Sequence, residues 1–371
     1  METGVRPTAA FGAVATSSSA RSFLMSCRNL GAMAVLALGL ALGGLIGGLA
    51  AAGGAWAADN QAGGSGEPIV IRFSHVVDES TPKGIGAQLF KERAEARLPG
   101  RVKVEVYPRA QRYTDEEVLV AMALGDVEMA APSFTQFRSF TRAMQIFELP
   151  FMFDSVDHVH RFQNSDIGRQ LLDFMLPQGI QGLAYWDNGM RVISANKPLV
   201  VPDDAAGLLF RTEPSAIFQE QYNRIDVATL PLPFRDVPDA IRTGLVDGQE
   251  NSWSNIYSRG IHKLNRSFTE LDHSFLGYMV VTNAAFWSGL PEDVRTTLES
   301  VLKDVTTEVN ALAQRQAQTD RDKALGEASI TIVTPTPEQL DAWRNAFTPV
   351  WQDFEGQIGQ EIMDAAVAAR H

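Results

Sequence analysis

Cysteine is almost absent from this sequence. The one cysteine in 371 residues is Cys27, which lies before a long apolar run rather than at its end. A lipoprotein cysteine would close such a run, so we expect no lipid anchor. The chain that follows the run has no cysteine, which excludes disulfides, thiolate metal sites and a cysteine nucleophile there.

The common catalytic and cofactor motifs are also missing. The sequence has no Gly-x-Ser-x-Gly elbow, no phosphate-cradling glycine loop and no His-Glu-x-x-His. Gly84-Ile-Gly86 lacks the third glycine of a dinucleotide site. His158 and His160 are two residues apart on a predicted helix, so their side chains point in different directions. No carboxylate pair stands out for acid–base catalysis, and we expect a protein without cofactor or metal that is not an enzyme.

Residues 1–57 differ in composition from the rest of the chain. Three arginines precede an apolar run from Leu30 to about Ala55, and Ala55-Trp-Ala57 fits a small-x-small cleavage site. This pattern predicts a secretory signal peptide and a periplasmic protein, with Met25 as an alternative start. An uncleaved anchor is the other interpretation, because the run is long enough to span a bilayer. The many glycines and the Ala-x-Ala end favour cleavage, and no later segment could span a membrane.

The chain is acidic, with a formal net charge of −12. Removal of the leader, which holds three arginines and one glutamate, makes the charge still more negative. Such a body repels nucleic acid and anionic lipid headgroups, so neither is an expected partner. Binding of a small anion would require cations concentrated at one place.

Strand and helix patterns alternate along the rest of the chain, which predicts an α/β fold. The predicted strands are Ile69–Val76, Val102–Tyr107, Val127–Ala131, Ile180–Trp186, Met190–Ala195, Leu208–Thr212, Phe275–Thr282 and Ile330–Val333. The predicted helices begin at Pro82, Thr114, Asp154, Asp166, Ser215, Pro291 and Pro337. Asp187-Asn-Gly189 is a turn signal between two of the strands.

A short internal echo predicts two similar lobes. Val118-x-x-Ala121-x-x-x-Gly125 is repeated as Val237-x-x-Ala240-x-x-x-Gly244, each time after an apolar run and a loop. We therefore expect two β-α-β lobes that face each other across a cleft. A helix from Pro291 to about Glu327 is longer than one lobe and is expected to brace both. We assign 58–67 to a flexible tether, 68–188 with 277–316 to lobe I, and 189–276 with 317–371 to lobe II.

The passage that follows the second copy of the echo is the centre of the predicted site. Leu245-Val246 has strand character, and Asp247-Gly248 turns it into the polar cluster Gln249-Glu250-Asn251. Polar side chains at the carboxyl end of a strand are placed where open α/β sheets bind ligands.

Two arginines at strand ends are the main candidate ligand-binding residues. Arg191 follows the turn signal, and Arg211 ends the apolar strand Leu208-Leu-Phe. A guanidinium in such a place suits a carboxylate, which its fork matches with two parallel hydrogen bonds. The alternative for each is a structural ion pair with one of the many acids. Asn251 could bind the same carboxylate or could instead cap the next helix.

The other lobe offers further candidates. His75 ends the first strand and Lys83 begins the first helix, while Ser133 follows the strand Val127–Ala131. Phe234 is a candidate apolar wall. Taken alone, His75 is better interpreted as a core histidine and Lys83 as a solvated lysine.

The sequence resembles the extracytoplasmic solute-binding proteins of TRAP transporters, and within them the C4-dicarboxylate-binding branch. The matching stretches are Phe73-Ser-His-Val-Val, Thr81-Pro-Lys-Gly84, Val104-Glu-Val-Tyr-Pro108, Glu148-Leu-Pro-Phe151, Tyr185-Trp-x-Asn-Gly-Met190, Ser194-Ala-Asn-Lys-Pro198, Gly207-Leu-x-Phe-Arg211, Gly244-x-Val-Asp-Gly-Gln-Glu-Asn251, Trp253-Ser-Asn-Ile-Tyr257 and Tyr278-Met-Val-Val-Thr-Asn283. The sequence departs from the family at Thr114, at Gln221-Tyr-Asn-Arg-Ile-Asp226 and at position 191, where the dicarboxylate branch often has lysine.

This resemblance implies a two-lobed periplasmic binding protein that closes over a small organic acid, with a C4-dicarboxylate such as succinate, malate or fumarate expected. Arg211 would clamp the ligand carboxylate with help from Arg191 and Asn251. His75, Lys83 and Ser133 would then select the ligand's other end. The expected partners are the small and large membrane permease proteins.

Three alternatives remain open at this point: a binding protein for a keto, hydroxy or sugar acid, an exported enzyme acting on organic acids, and a receptor that presents the ligand to a sensor.

Overall fold

The computed structural model describes residues 66–370. The predicted signal peptide, residues 1–57, and most of the predicted tether lie outside the described residues. Within 66–370 no helix is long and apolar enough to cross a membrane.

Strands and helices alternate along the described chain, as predicted. The strands are β1 (Ile69–Ser74), β2 (Val102–Tyr107), β3 (Met129–Ala130), β4 (Ile180–Met190), β5 (Val192–Ala195), β6 (Leu209–Thr212), β7 (Ala228–Pro231), β8 (Gly248–Asn251), β9 (Ser267–Thr269), β10 (Phe275–Asn283) and β11 (Thr331–Val333). The helices are α1 (Pro82–Arg97), α2 (Asp115–Leu124), α3 (Val156–Gln163), α4 (Asp166–Gln170), α5 (Ala216–Asn223), α6 (Val237–Arg242), α7 (Trp253–Ser258), α8 (Ala284–Gly289), α9 (Glu292–Glu327), α10 (Pro337–Phe347), α11 (Val350–Ile358) and α12 (Gln360–Ala368).

The strands form two sheets with matching topology. The first sheet has the order β2-β1-β3-β10-β4, and the second has the order β11-β9-β5-β8-β6-β7. In the first sheet β1 is parallel to both β2 and β3, and β10 is antiparallel to β3. In the second sheet β6 is parallel to both β7 and β8, and β5 is antiparallel to β8. The echo seen in the sequence therefore corresponds to two sheets of similar construction.

Local chemistry explains where the helices of this echo begin and end. Thr114 and Glu117 form a reciprocal capping box at the start of α2, which satisfies two backbone donors. Gly125 ends α2 at φ 83°, and Gly244 follows α6 at φ 72°. Both glycines adopt the left-handed conformation that a helix end favours and that other residues adopt at a cost.

The predicted turn at Asp187-Asn-Gly189 is wrong. β4 runs unbroken from Ile180 to Met190 and pairs with β10 along its whole length. The register shifts between Leu276 and Gly277, so that the chain forms a β-bulge beside Gly189, which has φ 130°. Asparagine and glycine suit a β-bulge as well as a hairpin turn, so the same residues are compatible with either structure. After β4 the chain passes from the first sheet to the second, where it continues as β5.

The predicted strand at Leu245-Val246 is also misplaced. The strand is β8, which is the polar segment Gly248–Asn251 itself, and all four of its residues are buried. The side chains of this strand find partners inside the protein. Gln249 donates to Ser194 Oγ at 2.8 Å, and Glu250 accepts from Tyr222 Oη at 2.7 Å. Because these partners come from distant parts of the chain, the local pattern does not reveal a strand.

Helix α9 spans both sheets, as the sequence predicts. Its 36 residues extend over about 54 Å. Near its middle Glu308 accepts from Arg93 of α1 at 2.5 Å. Near its end Arg321 donates to Glu270, next to β9, at 2.6 Å. The helix thus connects the elements that cover the first sheet to those of the second.

The first sheet is covered on both faces. One apolar cluster joins it to α1 and α9, and a second joins its other face to α2, α3 and the last two helices. Val350 and Phe354 of α11 and Ile362 of α12 belong to that second cluster. The lobe bounds stay a prediction, and for these two helices the packing favours the first sheet instead of lobe II. Their apolar faces cover a side of the first sheet that would otherwise be exposed. The order of the elements in the sequence does not reveal this packing.

The close approach of β5, β6 and β8 makes Gly248 sensitive to substitution. A Cβ at this position would lie 2.2 Å from the carbonyl oxygen of Ser194 and 2.8 Å from the Phe210 ring. Gly248→Ala should therefore lower the free energy of unfolding by about 1–3 kcal/mol, measured by urea denaturation. Gly326→Ala in α9 is the control, because its Cβ meets nothing within 4 Å. An unchanged midpoint for Gly248→Ala would contradict this packing.

Candidate functional site

A cavity of about 140 Å³ lies between the elements of the two sheets. It is similar in size to the roughly 150 Å³ engineered cavity that holds benzene, so it suits a small organic molecule. One wall comes from the first half of the chain and consists of Val76, Ala110, Thr114, Asp115, Glu116 and Gln136. The opposite wall consists of Arg211, Glu213, Pro214, Pro231, Leu232, Pro233, Phe234 and Arg235.

Arg211 lies on the wall of this cavity near the end of β6. Its side chain is buried, and its Nε and Nη2 donate to the carbonyl oxygen of Leu232 at 3.0 and 2.7 Å. No carboxylate among residues 66–370 is at ion-pair distance from this guanidinium. Burial lowers the pKa of Arg211 to about 10, even though Glu213 opposes the shift. Arg211 is therefore a buried cation whose neighbouring acceptor is a neutral carbonyl.

Arg191 lies between β4 and β5, where the chain passes from one sheet to the other, and it already has acidic partners. Its Nη2 donates to Glu213 Oε2 at 2.5 Å, and its Nη1 is 3.5 Å from Glu250 Oε1. The guanidinium carbon is also 4.8 Å from the centroid of the Phe218 ring. These ion pairs fit the structural alternative for Arg191. Its buried Nε and Nη1 atoms have no hydrogen-bond partner among the described residues, so its role in ligand binding stays a prediction.

Glu213 is the acid that sequence reasoning missed. Its Oε1 accepts hydrogen bonds from Ser133 Oγ at 2.5 Å and Thr135 Oγ1 at 3.2 Å, while its Oε2 accepts from Arg191. Burial alone would raise the pKa of Glu213, but Arg191 and Arg211 outweigh that effect and bring it to about 2. The carboxylate thus joins donors from both halves of the molecule. A signal was available, because an acid two residues after Arg211 faces the same side of an extended chain.

Glu250 was also missed as a site residue, although it belongs to the polar cluster. It is fully buried, and its Oε2 accepts from Tyr222 Oη at 2.7 Å and pairs with His273 Nε2 at 2.9 Å. Burial opposes ionisation, but the bonds from His273 and Tyr222 and the charge of Arg191 lower its pKa. Glu250 thus supplies a second negative charge behind Arg191.

The predicted residues of the first lobe are all buried but have different partners. Ser133 reaches the centre through its bond to Glu213. Lys83 does not contact Glu213: its Nζ donates to the carbonyl of Ala131 at 2.9 Å and lies 3.5 Å from the centroid of the Tyr278 ring. Burial lowers its pKa to about 8. The imidazole of His75 is buried with no hydrogen-bond partner among the described residues, and burial lowers its pKa to about 3.

Asn251 and Phe234 complete the set of predicted residues. Phe234 lines the cavity, in keeping with its prediction as an apolar wall. Asn251 accepts from the backbone N–H of Ser252 at 3.0 Å and from Asn255 Nδ2 at 2.8 Å. Its carbonyl oxygen is thus used at the start of α7, which matches the local, structural alternative. Arg191 and Ser133 hydrogen-bond to Glu213, and Arg211 and Phe234 line the same cavity as Glu213. Asn251 belongs to neither group.

Comparison with known proteins identifies the family. Residues 73–357 match the family described as bacterial extracellular solute-binding protein, family 7. The chain belongs to this family. It is 42% identical over 302 residues to the C4-dicarboxylate-binding periplasmic protein DctP of Shewanella loihica, a match that covers 81% of this chain and 90% of that protein.

Solved structures of family members support the same assignment. A TRAP periplasmic solute-binding protein from Shewanella oneidensis with bound succinate has a TM-score of 0.81 and 40% identity, over 82% of this chain and 100% of that one. One from Pseudomonas aeruginosa with bound L-malate has a TM-score of 0.75 and 43% identity, over 77% of this chain and 100% of that one. The expected resemblance to TRAP solute-binding proteins and the two-lobed α/β fold are confirmed. The family is one of solute-binding proteins and not of enzymes.

Glu148 is a further buried carboxyl next to this site. Its Oε2 accepts from Ser215 Oγ at the start of α5, and its Oε1 has no partner among the described residues. Burial raises the pKa of Glu148 from 4.5 to about 8, and the nearby charge of Glu213 acts in the same direction. The folded chain therefore keeps a proton here at pH values where the unfolded chain has lost it.

This carboxyl should make stability depend on pH. Its contribution to the free energy of unfolding is complete below about pH 4.5 and is lost as the pH rises through about 8. Between pH 5 and 8 the free energy of unfolding of the unmodified protein should fall by roughly 1–4 kcal/mol because of this group. Glu148→Gln should abolish that fall, which urea denaturation at several pH values measures. Glu299→Gln, at an exposed position on α9, is the control. A Glu148→Gln variant with the original pH dependence would show that another group titrates.

Proposed function

We propose that this chain is the exported solute-binding component of a TRAP transporter, and that it captures a small organic acid of the C4-dicarboxylate class. The ligand carboxylate would be bound by Arg211 in the cavity between the two sheets. Relatives named as C4-dicarboxylate-binding proteins support the ligand class, as do similar proteins that hold succinate and L-malate.

The observation that carries this proposal is the incomplete pairing of Arg211. The residue is 3% exposed and lines the cavity, yet a backbone carbonyl accepts the two described hydrogen bonds of its guanidinium. An isolated buried charge is unfavourable by several kcal/mol, and a bound carboxylate would relieve that cost. A ligand that meets Arg211 would therefore favour the closed arrangement of the lobes over an open one.

Export and delivery follow from the same role. The arginine-led apolar segment of residues 1–57 fits a cleaved signal peptide, and relatives are named periplasmic. The ligand-loaded protein would then pass the acid to the small and large permease proteins in the membrane. This role requires binding and release without chemical conversion, so turnover of a bound acid would contradict it.

Arg211→Gln should abolish ligand-induced stabilisation. A ligand at 100 times its Kd stabilises the folded state by about 2.7 kcal/mol, so succinate, malate or fumarate should raise the Tm of the unmodified protein by several degrees. The variant should lose this increase because no other described cation on the cavity wall is equally buried. The measurement is thermal unfolding with and without each acid.

Arg101→Gln is the matched control for this experiment. Arg101 is exposed and pairs with Asp293 at 2.7 Å, and neither residue lines the cavity. This variant should keep the full ligand-dependent increase in Tm. An undiminished increase in Arg211→Gln would contradict the arginine–carboxylate contact.

A further inference from the structure

The polar wall of the cavity beside Arg211 consists mainly of hydrogen-bond acceptors. Glu213 and Asp115 both line the cavity, as does Gln136. The amide nitrogen of Gln136 donates to the hydroxyls of Ser133 and Thr135, whereas its buried Oε1 atom has no partner among the described residues. Buried acceptors are normally satisfied, so this wall suits a ligand that donates hydrogen bonds.

Glu213 is fixed in this wall by donors on both sides. Ser133 and Thr135 donate to one oxygen and Arg191 to the other. Three hydrogen bonds to one carboxylate, one of them from a guanidinium, hold its position and its negative charge. A ligand that entered the cavity would therefore meet Glu213 as an anion in place.

Glu213 also affects which N–H donors of the two arginines are left for a ligand. The Nη2 atom of Arg191 donates to Glu213, and its Nη1 faces Glu250 at 3.5 Å. Arg191 thus already has two carboxylates close to it. Arg211 uses Nε and Nη2 on Leu232, while its Nη1 donates to no described residue. One ligand carboxylate can be received at Arg211, next to a fixed anion.

We propose that Glu213 is a specificity-determining residue that selects 2-hydroxy acids. The ligand carboxylate would bind Arg211, and the hydroxyl on the adjacent carbon would donate a hydrogen bond to Glu213. Positions 211 and 213 suit this arrangement because alternate residues of an extended chain face the same side. An unsubstituted acid would instead present a methylene group to the carboxylate. This inference rests on the proposed function and names its ligand more narrowly.

Malate and succinate form the matched ligand pair for the test, since they differ by one hydroxyl group. We expect the unmodified protein to bind at least one enantiomer of malate about tenfold or more tightly than succinate, which corresponds to 1.4 kcal/mol. Isothermal titration with L-malate, D-malate and succinate measures the ratio. Equal affinity for succinate and the better malate enantiomer would overturn the proposal, and this comparison needs no variant.

Glu213→Gln tests whether this residue causes the preference. The substitution keeps the shape of the side chain and removes its charge. We expect the malate-to-succinate ratio to fall at least threefold, mainly because succinate binds more tightly. If the folded variant kept the original ratio, a residue other than Glu213 would be responsible for the selectivity. Failure of the unmodified protein to bind any of the three acids would overturn the proposed function itself, whereas equal binding would overturn only the selection by Glu213.

Discussion

The ion pair between Arg191 and Glu213 is the interaction on which the centre of this molecule depends. Both groups are withdrawn from water, and a buried charge without a partner is strongly unfavourable. Glu213 also accepts from Ser133 and Thr135 of the first half of the chain, whereas Arg191 lies where β4 ends and β5 begins. The pair therefore fixes the contact between the two halves at the point where the chain crosses from one sheet to the other.

The two arginines differ in the partners that the protein itself provides for them. Arg191 has Glu213 and Glu250 close to it, and its charge is balanced within the protein. Arg211 is buried to a similar degree, but its described hydrogen bonds go to a neutral carbonyl on the cavity wall. A carboxylate ligand would gain most from the cation that has no carboxylate at ion-pair distance. Their positions at strand ends do not distinguish the two arginines, but the acids at ion-pair distance do.

Patterns that depend on neighbouring residues could be predicted from the sequence. The capping box of Thr114 and the left-handed glycines at 125 and 244 act within one turn of a helix. The length of α9 also follows from an uninterrupted apolar spacing. The polar strand β8 could not be predicted, because its buried side chains are satisfied by Ser194, Tyr222 and His273. Those partners are brought close only by the complete fold, and the same holds for the acids around Arg191.

The same reasoning explains why belonging to the family does not specify the ligand. The end of β6 brings Arg211 to the cavity wall, and segments that follow β1, β2 and β7 form other parts of that wall. The acceptors beside that arginine are a separate feature, since Glu213, Asp115 and Gln136 lie outside the strands of both sheets. A ligand shifts the lobes toward closure only by the difference between its affinities for the two arrangements. Glu213 is in contact with both halves, so its contribution to that difference depends on which groups the ligand presents to it.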